Sequence, residues 1–321
     1  MTLVRKCLYL LPITLAAVIS IAQAQQEGFT LTQALVAVDA KAAVIPTPSN
    51  ITVKVDNRVT PLNNITRVLP NGAQVALLID DGLRTSIGRE LASLRSFVQA
   101  FPSGTEIFIG YMQNGRVVPT QDFTTNFAAA AKALRTPLGA AGINASPYFC
   151  LSDFVKNWPR SELNRDVNGD LTAVRKARFV LMITDGVDPY NGSTSLLNQD
   201  SPYVSAAIKD AQRAGVPVYS IYFSDAGVRG DQASFSGQSY LAQLADGTGG
   251  RAYYEGTGNP VSIAPYLTQF QHAVAATYIA TFNARGDKNL VRLKLATSLP
   301  GAKLRAQDQI HPGTHMTASG R

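Results

Sequence analysis

Three short stretches of this chain carry the residue types that could do chemistry. They are Asp80-Asp81-Gly82-Leu83-Arg84, the loop around Asn144-Ala145-Ser146, and Asp185-Gly186-Val187-Asp188. Two carboxylate-bearing segments and a hydroxyl-bearing loop are the donors that a hard divalent cation takes, and a guanidinium beside them is a fixed positive charge that takes carboxylates instead. Covalent and histidine-based catalysis have little to work with. The chain has 3 His and lacks a Gly-x-Ser-x-Gly elbow, a His-Glu-x-x-His pair and a Walker loop. A hydrolase using the paired carboxylates of Asp80 and Asp185 is the remaining enzymatic reading, and it requires an acid or base of shifted pKa.

The elements that must position these stretches follow from the pattern of apolar residues. Val75–Ile79 and Phe179–Thr184 are continuous apolar runs that stop at acidic residues, as expected for strands buried on both faces. Ile87, Leu91, Leu94, Val98 and Phe101 recur at helical spacing. Glu106–Gln113 and Arg116–Phe123 flank Asn114-Gly115, a two-residue hairpin signal. An Ala-rich helix over 127–134, a helix ended by Gly215, a strand over 218–223, a short helix over 240–244 and an edge strand over 251–254 follow. Ile263, Leu267, Phe270, Val274 and Tyr278 predict a long closing helix. This alternation predicts an α/β fold with a doubly wound, mostly parallel sheet and one antiparallel edge hairpin. Outside it, Ile51–Val55 and Arg58–Leu62 read as a hairpin and Asn289–Ala296 as an alternating strand, predicting a small β-element built by both chain ends. In such sheets ligands sit at the carboxyl ends of the parallel strands, where Asp80, Ser146 and Asp185 should converge.

The succession of strand–Asp, helix, Asn-Gly hairpin, helix, polar loop, strand–Thr-Asp-Gly, helix, strand and helix resembles a von Willebrand factor type A domain over about 73–283. The stretches that carry the likeness are Val75-Ala76-Leu77-Leu78-Ile79-Asp80 and Val180-Leu181-Met182-Ile183-Thr184-Asp185-Gly186. It looks most like the secreted branch found in Acidobacteria, where Asp-Asp-x-x-Arg follows the first strand. The resemblance implies a protein-binding role, often through a metal-ion-dependent adhesion site written Asp-x-Ser-x-Ser, with a Thr and an Asp from two further loops. Carried over, Asp80 matches the first Asp, Asp185 the last, and Ser146 stands for the Thr. Gly82 and Arg84 occupy the two serine positions, so both hydroxyls are missing. A guanidinium about 4 Å from a divalent ion repels it by roughly 8 kcal/mol at an effective dielectric near 20, about what one carboxylate contributes by attraction. The expectation is therefore a degenerate site in which Arg84 takes the place of the metal and pairs with Asp80 or Asp185. No resident cofactor is called for, and Mg2+ or Mn2+ is the ion that Asp80, Ser146 and Asp185 would hold if they held one.

Length and composition bound the rest. With 321 residues, 45% hydrophobic, 16% charged and a formal charge of +7, the chain can bury a large core and has no disordered or coiled-coil character. Its basic residues are dispersed without a nucleic-acid motif. Arg5 and Lys6, the apolar run Cys7–Ala22 and Ala22-Gln23-Ala24 form the layout of a secretory signal peptide, with cleavage expected after Ala24. Pro12 and Gln23 keep the run below the ~20 residues of a membrane span, so no stable span is expected after cleavage. Cleavage leaves Cys150 as the sole thiol, expected to be a small buried hydrophobe.

The chain thus divides into a signal at 1–24, an N-terminal β segment at 25–72, the α/β domain at 73–283, and a C-terminal β segment and polar tail at 284–321. The functional expectation is an exported, periplasmic or extracellular, non-enzymatic protein-binding or adhesion module of the bacterial cell envelope. Its binding rim comprises Asp80, Asp81, Gly82, Arg84, Ser146 and Asp185, and its partner is a protein offering an acidic side chain. The alternatives are a structural envelope protein with a vestigial site and the carboxylate-dependent hydrolase. Three further motifs have bland readings: Asp166–Thr172 as a polar turn rather than a calcium loop, Arg285-Gly286-Asp287 as the turn before the last strand, and Gly247–Gly250 as a connecting turn.

Overall fold

The computed structural model describes residues 28–139, 146–161, 175–191, 200–223, 230–256 and 259–316. The expected signal, Asn144-Ala145 and Asp166–Thr172 lie outside them. The strands are β1 (Phe29–Ala40), β2 (Ile51–Val55), β3 (Arg58–Thr60), β4 (Leu62–Arg67), β5 (Ala73–Asp80), β6 (Glu106–Gln113), β7 (Arg116–Thr124), β8 (Ala177–Thr184), β9 (Val218–Tyr222), β10 (Ala252–Tyr253), β11 (Thr277–Arg285), β12 (Val291–Thr297), β13 (Ala302–Arg305) and β14 (Gln309–Ile310). The helices are α1 (Leu91–Gln99), α2 (Phe127–Lys132), α3 (Pro147–Lys156), α4 (Pro202–Arg213), α5 (Gly230–Thr248) and α6 (Ala264–Ala275).

A six-stranded sheet in the order β10-β9-β8-β5-β6-β7 forms the centre. Its strands are parallel except β7, which returns from β6 through Asn114 and Gly115, at φ 46° and 78°. This is the doubly wound, mostly parallel α/β sheet with an antiparallel edge hairpin that the alternation of elements predicts. Because side chains alternate along a strand, β5 feeds two cores. Val75, Leu77 and Ile79 face α1, α2 and α6, packing on Leu94, Phe97, Ala130, Leu267 and Phe270. Ala76 and Leu78 face the other side, with Tyr148, Leu151 and Phe154 of α3, Val204 and Ala207 of α4, and Tyr240 and Leu244 of α5. Each such Leu, Val or Phe, when fully buried, contributes about 1.5–3 kcal/mol from removal of apolar surface from water.

Two four-stranded sheets, β13-β1-β11-β4 and β14-β12-β2-β3, pack face to face around Ala34, Val53, Val55, Phe282, Ala284, Val291 and Leu293. The expected pairing of the chain-end segments is present, since β2 and β12 run antiparallel from Val55↔Leu293 to Ile51↔Thr297. The β2–β3 turn holds Asp56 and Asn57 at φ 49° and 65°, the left-handed pair a two-residue hairpin needs. Leu35 of β1 and Ile279 of β11 point the opposite way, into the α1/α6 core, and fix the sandwich to the central sheet.

Several boundaries differ from the sequence expectation. The closing helix stops at Ala275, and Tyr278 lies in β11, paired with Val36. The short helix over 240–244 is the end of the 19-residue α5, and β1 and α3 are elements that apolar spacing did not reveal. Gly247 and Thr248 belong to α5, with Gly249 and Gly250 forming the turn to β10. Gly215, at φ 59°, ends α4 as expected. Arg285 and Asp287 pair with each other at 3.2 Å in the turn leading to β12.

At the amino ends of the central strands lies a buried polar chain. Trp158 Nε1 donates to Gln74 Oε1 at 2.9 Å, Gln74 Nε2 to Glu106 Oε2 at 2.7 Å, and Lys176 Nζ to Glu106 Oε1 at 2.6 Å. Both carboxylate oxygens are occupied by donors, as a buried charge requires.

Candidate functional site

The carboxyl ends of β5 and β8 are neighbours in register, Ile79 opposite Ile183, and the turns that follow them form the candidate rim. Asp80, the last residue of β5, is buried. Its Oδ1 accepts the Gly82 N–H at 2.9 Å, closing a tight turn, and its Oδ2 accepts the Thr184 hydroxyl at 2.8 Å. Thr184 Oγ1 in turn accepts the Gly186 N–H at 3.1 Å. Asp185, also buried, accepts the Val187 N–H at 2.9 Å. Asp188 accepts the Ser201 hydroxyl at 2.8 Å, and Ser201 caps α4 through the N–H groups of Tyr203 and Val204.

Helix α3 supplies the third side of the rim. Ser146 is its N-cap, wholly buried, and its Oγ makes no hydrogen bond among the described residues. One turn on, the Tyr148 hydroxyl donates to the Gly186 carbonyl at 2.8 Å, tying α3 to the loop after β8. Burial, then the carboxylates of Asp188 and Asp185, drive the Tyr148 phenol well above its ordinary pKa. Cys150, on the same helix, is buried, and its thiol is pushed up to about 12 by burial first and the Asp80 charge second. On the far side, α5 approaches so closely that a Cβ on Gly237 would stand 2.1 Å from the Asp185 carbonyl oxygen.

Asp81 is held apart from these groups. Its carboxylate is clamped by both Nη atoms of Arg135, at 2.7 and 2.8 Å, and also accepts the Leu138 N–H at 2.9 Å and the Gln113 amide. Arg135 lies over the Tyr111 ring at 3.8 Å, while the Tyr111 hydroxyl donates to the Arg135 carbonyl at 2.6 Å. Burial alone would raise the Asp81 pKa, but these hydrogen bonds and the guanidinium charge outweigh it and hold the carboxyl below its ordinary range. The same pairing, through the Asp81 hydrogen bond, raises Arg135.

The structure therefore brings Asp80, Asp81, Gly82 and Asp185 to one end of the sheet, with the first turn of α3, begun by Ser146, beside them. Asp80, Asp81, Ser146 and Asp185 are buried, Gly82 is half-buried, and Arg84 is exposed at the start of a short 3-10 turn. Sequence reasoning did not single out Arg135, Thr184 or Tyr148. Thr184 was legible beside Asp185, whereas Arg135 sits 54 residues from its partner with no local signal. Exposed groups on this end also include Leu138 and Tyr190.

The ligand set for a divalent ion is incomplete. Both Asp80 oxygens and one of Asp185 already accept protein donors, Gly82 and Arg84 bring no side-chain oxygen, and the buried Ser146 hydroxyl has no hydrogen-bond partner among the described residues. Among the described residues no three His, Cys, Asp or Glu gather as a metal site. The residues present do not fit an adhesion-type metal.

The sequence matches no family model. It also matches no curated protein. Solved structures similar to it include a von Willebrand factor type A protein from Catenulispora acidiphila (12% identity, TM-score 0.41, covering 90% of this chain and 75% of that one). An aerotolerance-related membrane protein from Bacteroides fragilis is similar at 9% identity and TM-score 0.40, over 63% and 98% of the two chains. The SpRpn10 VWA domain is similar at 7% identity and TM-score 0.38, over 62% and 94%.

Proposed function

We propose that this chain is an exported, non-enzymatic protein-interaction module of the type A kind, whose rim works through fixed charge instead of a bound ion. The observation that carries the reading is the separation of roles at the rim. The carboxylates of Asp80, Asp81 and Asp185 are buried and engaged by Thr184, Arg135 and backbone amides, while Arg84, Leu138 and Tyr190 are exposed at the same end of the sheet. An exposed guanidinium suits a partner's Asp or Glu, because its planar fork takes a carboxylate bidentately. The same arrangement disfavours the hydrolase reading, since the paired carboxylates have protein donors in place of a substrate and no histidine joins them.

Export rests on the sequence layout of the first 24 residues; among the described residues no helix is long and apolar enough to cross a membrane. The test is affinity capture from envelope extract with the wild type and with Arg84→Glu, reading captured proteins by mass spectrometry. A partner retained by the wild type and lost on charge reversal supports the reading. A set of captured proteins unaltered by Arg84→Glu and by Tyr190→Ala refutes it.

A further inference from the structure

A second concave site lies on the opposite flank of the central sheet, where β1 and β13 of the sandwich meet β9, β10 and α6. It is a cavity of about 230 Å³ whose polar lining includes Asp39, Tyr219, Arg251, Tyr253, Gln269, His272 and Arg305. That is smaller than the pockets of about 300–1,000 Å³ that take drug-sized ligands, and it sits at a junction of two substructures, where such sites concentrate.

The lining carries more hydrogen-bond donors than the protein uses. Arg305 has five N–H donors; one reaches the Gly250 carbonyl at 3.3 Å, and its nearest carboxylate, the mostly exposed Asp246, is 3.9 Å away. Arg251 is engaged on one side by Asp39. The Tyr219 ring is 1% exposed and packs edge-on against Phe270 at 5.0 Å, yet its hydroxyl makes no hydrogen bond to a described residue. Tyr219 lines the cavity, where water or a ligand can take the hydrogen bond of its hydroxyl. Tyr219 and Tyr253 both sit in the fields of Arg251, Arg305 and Asp39, so the five groups surround one space.

We propose that this cavity binds a small organic monocarboxylate, its carboxylate held by Arg305 and the Tyr219 hydroxyl and its apolar body against Ala37, Ala273 and Ala276. Two guanidiniums and a phenol donor select an anion, and the planar fork of Arg305 matches a carboxylate. Asp39 on the wall and Asp246 at the rim repel a second negative charge, which selects against phosphate and dicarboxylates. The alanine walls leave room for an apolar body and offer it no hydrogen bonds.

The test is isothermal titration of the full chain at fixed ionic strength with benzoate, succinate and inorganic phosphate in parallel. Benzoate should bind saturably at one site and more tightly than the other two. Arg305→Gln should weaken it at least tenfold and Tyr219→Phe about threefold or more, as expected for loss of a charged and a neutral hydrogen bond. Lys294→Gln, an exposed charge on β12, should leave binding unchanged. The proposal is overturned if no carboxylate binds more tightly than about 10 mM. It is equally overturned if phosphate or succinate binds more tightly than benzoate, or if both Arg305→Gln and Tyr219→Phe bind like the wild type. Should Arg305→Gln fail to give a cooperative unfolding transition, Tyr219→Phe decides alone, because it removes one oxygen and leaves the Phe270 packing in place.

Discussion

Replacing Arg135 by Leu isolates the buried charge that organises the rim. The substitution removes both guanidinium bonds to Asp81 and the cation over Tyr111, leaving a carboxylate whose side chain is fully buried. Breaking a buried pair by deleting one partner costs about 3–5 kcal/mol, because the survivor stays uncompensated. Two features place this case at the low end. Arg135 itself is 34% exposed, and Asp81 keeps the Leu138 amide and Gln113 as donors. The expected loss is therefore about 3 kcal/mol, or about 6–12 °C in Tm at roughly 2–4 °C per kcal/mol. Lys132→Leu, at an exposed position of α2, should stay within about 0.5 kcal/mol. Urea and thermal unfolding followed by circular dichroism at pH 7 read the difference. The pH dependence follows from the sign of the shift. Asp81 has a folded-state pKa below its unfolded value of about 3.9, so its stabilisation is complete above that value and is lost as pH falls through the folded pKa. The gap between wild type and Arg135→Leu should be full at pH 7 and narrow as pH falls, beginning where the uncompensated Asp81 carboxyl of the variant, raised by burial, takes up its proton. A loss below about 1 kcal/mol at pH 7, or a gap that widens in acid, refutes the assignment of Arg135 as the buried counter-ion.

Lys176→Met should cost about 3–5 kcal/mol by stranding Glu106, and adding Glu106→Leu should restore only part of it, because Gln74 Nε2 then loses its acceptor; urea midpoints of the single and double variants check both. With its thiol pKa pushed up to about 12 and its side chain buried, Cys150 should react with iodoacetamide at pH 8 at least about 100-fold more slowly in the native protein than in urea, and equal rates would contradict its placement. Ser146→Ala removes an unpartnered buried hydroxyl and should leave stability unchanged or raise it by up to about 1 kcal/mol in a thermal scan; a clear loss would mean that the hydroxyl has a partner.

What the sequence made legible were elements whose burial is uniform or whose turns need special backbone angles. β5 and β8 are apolar on both faces because helices cover both, and continuous apolar runs signal that. The turns at Asp56-Asn57 and Asn114-Gly115 were legible because few residue pairs tolerate positive φ twice. Helix α5 was mostly hidden, since Gly237 and Gly247 lower helix propensity; they are there because the Asp185 carbonyl and the Ile208 side chain come too close for a Cβ. Tyr278 fell four residues after Val274 and so continued a helical stripe by coincidence. The helix ends with the Ala276 N–H on the His272 carbonyl, after which alternation of period two takes over in β11. β1 escaped notice because its small residues Ala34 and Ala37 give little contrast between faces, although both faces are buried.

The adjacent carboxylates Asp80 and Asp81 show why the site was half legible. A strand sends successive side chains to opposite faces, so two neighbouring aspartates cannot serve one centre. Asp80 follows Ala76 and Leu78 towards α3, α4 and Thr184, whereas Asp81 follows Leu77 and Ile79 towards Tyr111 and Arg135. Sequence proximity pointed to Arg84 as the partner of Asp80 or Asp185, and the chain turns as soon as β5 ends. The Leu83 N–H donates to the Asp80 carbonyl and the Ile87 N–H to that of Arg84, and this turn buries Leu83 and Ile87 and leaves Arg84 outside. The cation on Asp81 comes from the segment after α2, where Tyr111 fixes the Arg135 backbone from both sides. Arg135 therefore cannot change without loosening the 135–139 segment, because its Nη1 holds the Thr136 carbonyl while the Asp81 carboxylate it clamps accepts the Leu138 N–H.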